Sequence, residues 1–172
     1  MEEKERINAL DVALNNELNE HKFYMKNAER TTNPLGKAMF DQIGKEELEH
    51  YERLKQLHDE WTRSGKWPNT LPLKVRDTEI KNILSEFVSK SETSAPSESD
   101  DLAAIRTAID FEAKGMEYYA SLRDSITDKK ESEFFGLLSS IEREHYLSLK
   151  DAEEYFIDPA GWYSSHEHPI LD

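Results

Sequence analysis

The sequence predicts an all-α fold, a four-helix bundle built from two helical hairpins with a long crossover between the second and third helices. Three observations predict it. Apolar residues recur at alternating spacings of three and four along four long stretches. Helix-ending signals divide those stretches into two short turns and one long connection. A pattern also occurs twice: Glu17, Glu47 and His50 return as Glu112, Glu142 and His145 on adding 95 to each number. The same offset carries Ala13 to Ala108, Tyr24 to Tyr119, Phe40 to Phe135 and Leu54 to Leu149.

The first helix is expected from about Glu2 to Arg30, with an inward stripe of Ile7, Leu10, Leu14, Glu17, His21, Tyr24 and Ala28. Asn33-Pro34 then reads as a cap followed by proline at the first helical position. The second helix carries Met39, Phe40, Ile43, Glu47, His50, Leu54, Leu57 and Trp61, and Gly65 and Pro68 end it. Residues 65–99 form the crossover. Within it, Ile80, Ile83, Leu84 and Phe87 predict a short helix, and SKSETSAPSESD reads as a polar, low-complexity stretch. The third helix carries Leu102, Ile105, Ile109, Glu112, Met116 and Tyr119. Asp128 and Glu131 predict a capping box for the fourth, which carries Phe135, Leu138, Glu142, His145, Leu149, Ala152 and Phe156 and stops before Pro159. Residues 158–172 are read as a C-terminal tail, and the whole of 1–172 as one domain.

This layout brings six residues together. In each hairpin the two glutamates are 30 residues apart, so each lies about 15 residues from the turn and both share one height. A crossover long enough to return along the bundle puts the turns at opposite ends. In a bundle ~40 Å long both heights then fall at the middle. Residues three apart share a helix face, so each Glu-x-x-His offers two donors to one point. A lone Glu-x-x-His is usually solvated surface. Here all four glutamates interrupt apolar stripes, where an unpartnered carboxylate would be costly or protonated. Two divalent cations would supply +4 against −4, and four carboxylates with two imidazoles are the ligand set of a two-metal site in a bundle.

Composition removes other classes. A net charge of −14 opposes a phosphate backbone and favours cations. No apolar run approaches the roughly 20 residues of a membrane span. No export signal opens the sequence, so the expected location is cytoplasmic. With no cysteine, disulfides, zinc ribbons and cysteine-held iron centres are excluded from these 172 residues.

From about residue 8 to 157 the chain resembles the rubrerythrin branch of the ferritin-like di-iron carboxylate family. The resemblance rests on Glu17 with Tyr24, Glu112 with Tyr119, and the two Glu-x-x-His motifs in KEELEHYERL and SSIEREHYLSL. It implies two irons, with Glu17 and Glu112 as terminal ligands, Glu47 and Glu142 as bridges, and His50 and His145 each capping one iron. Ligand type alone leaves manganese and zinc open. It also implies a homodimer and an oxidoreductase that reduces hydrogen peroxide or dioxygen, a role in oxidative stress, using an external electron donor such as a rubredoxin-like protein. The alternative is a ferroxidase or an iron-binding or storage protein without a further substrate. Two departures stand out. The rubredoxin-like domain is missing, and the family's further glutamate, three after the terminal one on the third helix, is Gly115 here.

Glu20 occupies the matching place on the first helix and reads as surface rather than ligand. His21 reads as a core or supporting histidine rather than a seventh ligand. Tyr24 and Tyr119 are either donors to ligand carboxylates or plain core aromatics. Glu46, Glu49 and Glu144 point off the stripes and read as solvated. His58, His166 and His168 show no ligand spacing. Trp61, Trp67 and Trp162 are expected to close the bundle ends.

Overall fold

The computed structural model describes residues 1–66, 75–89 and 99–167. Every described element is a helix: α1 Glu3–Arg30, α2 Pro34–Ser64, α3 Ile80–Ser89, α4 Ser99–Ser125, α5 Lys129–Ile157 and α6 Pro159–Glu167. Local chemistry sets the ends. Glu5 accepts a hydrogen bond from the Glu2 amide at 3.2 Å, Asn33 caps α2 through the Gly36 amide at 3.0 Å, and Asp128 caps α5 through the Glu131 amide at 2.9 Å. The Glu131 side chain turns to Arg6 on α1, 3.2 Å away. Gly65 closes α2 at φ 67°, a left-handed conformation that glycine adopts without a Cβ clash. Trp67, Pro68 and the polar stretch expected after Ser89 lie largely or wholly outside the described residues.

Two apolar cores show how the helices run. One joins Tyr24, Ala28, Leu35 and Met39 to Ala104, Ile105, Leu149 and Tyr155; the other joins Leu10, Ala13, Leu54 and Leu57 to Tyr119, Leu122, Phe134 and Leu138. The C-terminal half of α1 therefore meets the start of α2, the start of α4 and the end of α5. Within each hairpin the helices are antiparallel, while α2 and α4 run the same way. The two turns lie at opposite ends, and the hairpins are related by a pseudo-twofold axis across the bundle. Helix α3 packs on α2 and α5, burying Ile80 and Phe87 as its periodicity predicts. Among the described residues no helix is long and apolar enough to cross a membrane.

The stretch read as a tail is in part a helix. Asp158 ends α5 and starts α6, accepting from the Gly161 amide at 3.1 Å, with Pro159 at the first helical position. This is the same cap-and-proline signal as Asn33-Pro34, followed here by a helix of only nine residues. Trp162 is what holds α6 down. It is 3% exposed, stacks edge-on against Tyr155 at 5.3 Å and donates from Nε1 to Asp151 at 3.2 Å. Trp61 closes the other end beneath the Arg6 guanidinium, 4.3 Å from its ring centre.

Trp162→Ala should thus cost about 3 kcal/mol in urea unfolding, whereas Val12→Ala, at a position 48% exposed, should change stability by less than about 0.5 kcal/mol. Equal midpoints for the two variants would show that α6 is not part of the cooperative unit.

Candidate metal centre

Between the two apolar cores lies one polar layer. Glu17 from α1, Glu47 and His50 from α2, Glu112 from α4, and Glu142 and His145 from α5 meet there, each at most 1% exposed. Their donor atoms form two overlapping groups, Glu17–Glu47–His50–Glu142 and Glu47–Glu112–Glu142–His145, each lying within 4.8 Å. Glu47 and Glu142 belong to both. His50 Nδ1 is 3.4 Å from Glu17, 3.5 Å from Glu47 and 3.4 Å from Glu142. His145 Nδ1 is 3.2 Å from Glu47 and 3.4 Å from Glu112. The imidazoles lie nearly parallel, 6.3 Å apart.

The sequence leaves two readings of the tyrosines open; the structure selects one. Tyr24 on α1 donates its hydroxyl to Glu112 Oε1 on α4, and Tyr119 on α4 donates to Glu17 Oε1 on α1. Each bond crosses from one hairpin to the other. Each leaves the second oxygen of its glutamate turned inward. Those oxygens, both oxygens of Glu47 and of Glu142, and Nδ1 of both histidines are buried without a hydrogen-bond partner. Orphaned polar atoms cost about 1–3 kcal/mol each. Eight of them aimed at one another fit a pair of bound cations, and carboxylate with imidazole suits iron, manganese or zinc.

The electrostatics show what the layer does without metal. Burial, then repulsion from Glu47, pushes the Glu17 and Glu142 carboxyls well above the usual range. Burial also opposes ionisation of Glu47, but the adjacent Glu17 carboxyl and the nearby imidazoles hold it well below. For the histidines burial would lower the pKa; the Glu47 charge beside His50 and the Glu112 charge beside His145 outweigh it, and both are raised. The metal-free layer thus stores protons in place of cations. The tyrosine hydroxyls are also pushed up, first by burial and next by the glutamate each one meets, which keeps them protonated donors.

Other expectations fare differently. Glu49 and Glu144 sit off the stripes, ion-paired to Arg76 at 3.2 Å and Lys81 at 2.8 Å. His58 pairs with Asp11, 2.8 Å away. His21 donates to the Gly44 carbonyl at 2.6 Å and joins neither donor group. The side chains of His166 and His168 lie outside the described residues. Glu20 is half-buried instead of solvated. With its repeat mate Gly115 it lines a cavity of 410 Å³ between α1 and α4, where Asn16, Glu17, Lys114 and Tyr119 also face. Burial and the site's carboxylates push the Glu20 carboxyl up to about 11. A Cβ on Gly115 would stand 3.1 Å from Glu142 Oε2, so a larger residue there would crowd that carboxylate.

Glu46 overturns its expectation. It is 9% exposed, and its Oε2 meets His145 Nε2 at 3.0 Å. Thr78 Oγ1 and the Glu79 amide donate to the same carboxylate, each at 2.9 Å. Helical periodicity puts Glu46 about 100° from the stripe, and the partner that covers it is the crossover, which no spacing rule reveals.

A family model described as rubrerythrin matches residues 8–153. No curated protein matches. Among solved structures, a hypothetical protein from Pyrococcus furiosus is similar at 21% identity, with a TM-score of 0.63 over 87% of this chain and 89% of that one. At that identity the likeness concerns the fold.

Metal-free protein should gain stability as pH falls from about 8 to about 5.5. Glu17, Glu142, His50 and His145 have raised values, so the stability they supply is full below their ordinary ranges and is lost as pH rises through the raised ones. Glu47, held low, acts oppositely and only below about its ordinary range. Metal added at pH 7 should release several protons per chain, read as a dependence of the calorimetric heat on buffer ionisation enthalpy. A pH-independent melting temperature for the metal-free form, or a heat that is the same in all buffers, would contradict this account.

Proposed function

The chain belongs to the rubrerythrin family, and on that premise we propose that it is a di-iron carboxylate oxidoreductase that reduces hydrogen peroxide with electrons from an external donor. The observation that carries the reading is the pair of overlapping donor groups sharing Glu47 and Glu142. In it Glu17 and Glu112 are terminal ligands, Glu47 and Glu142 bridge, and His50 and His145 each cap one ion. Two ferrous ions held there would supply one electron each, which with two protons takes one peroxide to two waters. The residues do the rest. Tyr24 and Tyr119 fix the terminal carboxylates by holding one oxygen of each. The apolar cores on either side exclude bulk water, which strengthens every charge interaction in the layer. The cavity beside Gly115 gives a small oxidant room next to Glu17. With no cysteine, a rubredoxin-type centre within these residues cannot refill the site, so the electrons come from outside them.

Gly115 favours a second reading. It stands where the family resemblance calls for a further glutamate, so the site has one carboxylate fewer than the peroxidase pattern, which a ferroxidase or iron-binding protein would allow.

Metal-replete protein should contain two metal ions per chain. Glu47→Gln or Glu142→Gln should abolish binding of the pair, whereas Glu49→Gln or Glu144→Gln should leave two ions bound; equal loss in both sets would refute the face assignment.

The reduced di-iron form should react with peroxide faster than with dioxygen, in a burst of about one peroxide per iron pair, and a small reduced electron carrier should convert the burst to steady turnover. Faster reaction with dioxygen, together with ferric ion accumulating beyond two per chain, would replace the peroxidase reading with the ferroxidase.

A further inference from the structure

The 95-residue repeat makes the two halves of the layer near equivalents, and Glu46 is a side chain that breaks the match. Behind His145, Nε2 faces Glu46 Oε2 at 3.0 Å, leaving Nδ1 turned to Glu47 and Glu112. The offset puts Ile141 where a mate of Glu46 would stand behind His50, and Ile141 is 1% exposed in the apolar core. Among the described residues no carboxylate lies behind His50, whose ion pairs run through Nδ1 to Glu17, Glu47 and Glu142. Glu46 is itself fixed by two donors from the crossover, Thr78 Oγ1 and the Glu79 amide.

We infer that Glu46 is a positioning residue that makes the two metal positions unequal, so that the first divalent cation settles between Glu112 and His145. The inference rests on the reading that the six residues hold two metals. A carboxylate behind a ligating histidine fixes the ring, selects the tautomer with hydrogen on the far nitrogen, and raises the basicity of the ligating nitrogen. His145 has this support. His50, for which the repeat puts Ile141 at the matching position, has no such carboxylate among the described residues. Because Thr78 and the Glu79 amide already hold Glu46, little side-chain freedom is left to lose when the cation arrives. The crossover, which joins the hairpins, thereby also tunes one end of the metal pair.

The test is a calorimetric titration of the metal-free full chain with cobalt(II), paired with anomalous diffraction from crystals given one equivalent. Two steps separated by at least about tenfold are expected, with the first ion on the Glu112–His145 side. Glu46→Gln keeps the shape and removes the charge; it should weaken the tighter step about 10- to 100-fold and leave the weaker one unchanged. Thr78→Val removes one strut and should weaken the same step by less. Should Glu46→Gln fail to fold, the wild-type titration, the diffraction and Thr78→Val still decide. If no cobalt binds, the two-metal reading and the inference fall together. If two ions bind with equal affinity, if the first settles between Glu17 and His50, or if Glu46→Gln weakens both steps alike, the inference falls while the two-metal reading stands.

Discussion

Four carboxylates and two imidazoles buried in one layer set the terms for the rest of this molecule. No lysine or arginine reaches the layer among the described interactions, so its charge is balanced by protons or by cations from outside. Either way the layer cannot hold itself together. Its position depends on the apolar cores on both sides, Leu10 to Leu138 at one end and Tyr24 to Tyr155 at the other. The long helices follow from this. A layer at mid-height needs several turns of apolar stripe above and below it before the bundle is worth folding.

The internal repeat gives the layer its geometry at little cost in sequence. One hairpin supplies one Glu and one Glu-x-x-His, and a second copy turned end over end supplies the rest. The tyrosines then join the copies. Tyr24 reaches from the first hairpin to Glu112 in the second, and Tyr119 reaches back to Glu17. A tyrosine bonding to a glutamate of its own hairpin would orient the carboxylate equally well without tying the two halves. The crosswise arrangement makes carboxylate orientation and hairpin docking one event. Glu46 shows that the copies are not interchangeable. Its mate is Ile141, and only one of the two histidines is braced from behind.

What could be read from the sequence was whatever a helix or a fixed offset repeats. The stripes of α1, α2, α4 and α5 are long and interrupted only by glutamate and histidine, so periodicity placed them. The spacing of 30 residues put the glutamates at one height, and all six meet as that spacing requires. What could not be read depended on contacts between distant segments. Glu46 is covered by residues 32 and 33 positions later. Glu20 is drawn from solvent because α4 lies across it and glycine faces it at position 115. Helix α6 had a legible start at Asp158-Pro159, but its reason to exist is the burial of Trp162 against α3 and α5. Short elements of this kind are decided by what they pack on, and propensity settles little.

The polar layer also bears on whether the site is structural or chemical. A bundle selected for stability alone would do better with leucine in these positions. Replacing buried ionic groups by well-packed apolar residues is often neutral or stabilising by about 1–4 kcal/mol. Instead, donor atoms stay bare at the centre, tyrosines are spent on aiming two of the carboxylates, and a crossover segment is recruited to brace one histidine. A cavity on the α1–α4 side is further lined by Glu17 and Glu20, with Gly115 beside Glu142. A metal that merely stapled the helices would gain from a closed shell, because structural sites fill every coordination position with protein. In the proposed reading six ligand residues are shared between two ions, and the cavity beside Glu17 leaves room for a small molecule. On the proposed reading, that combination of a costly layer and a cavity beside it suits a reactive centre better than a staple.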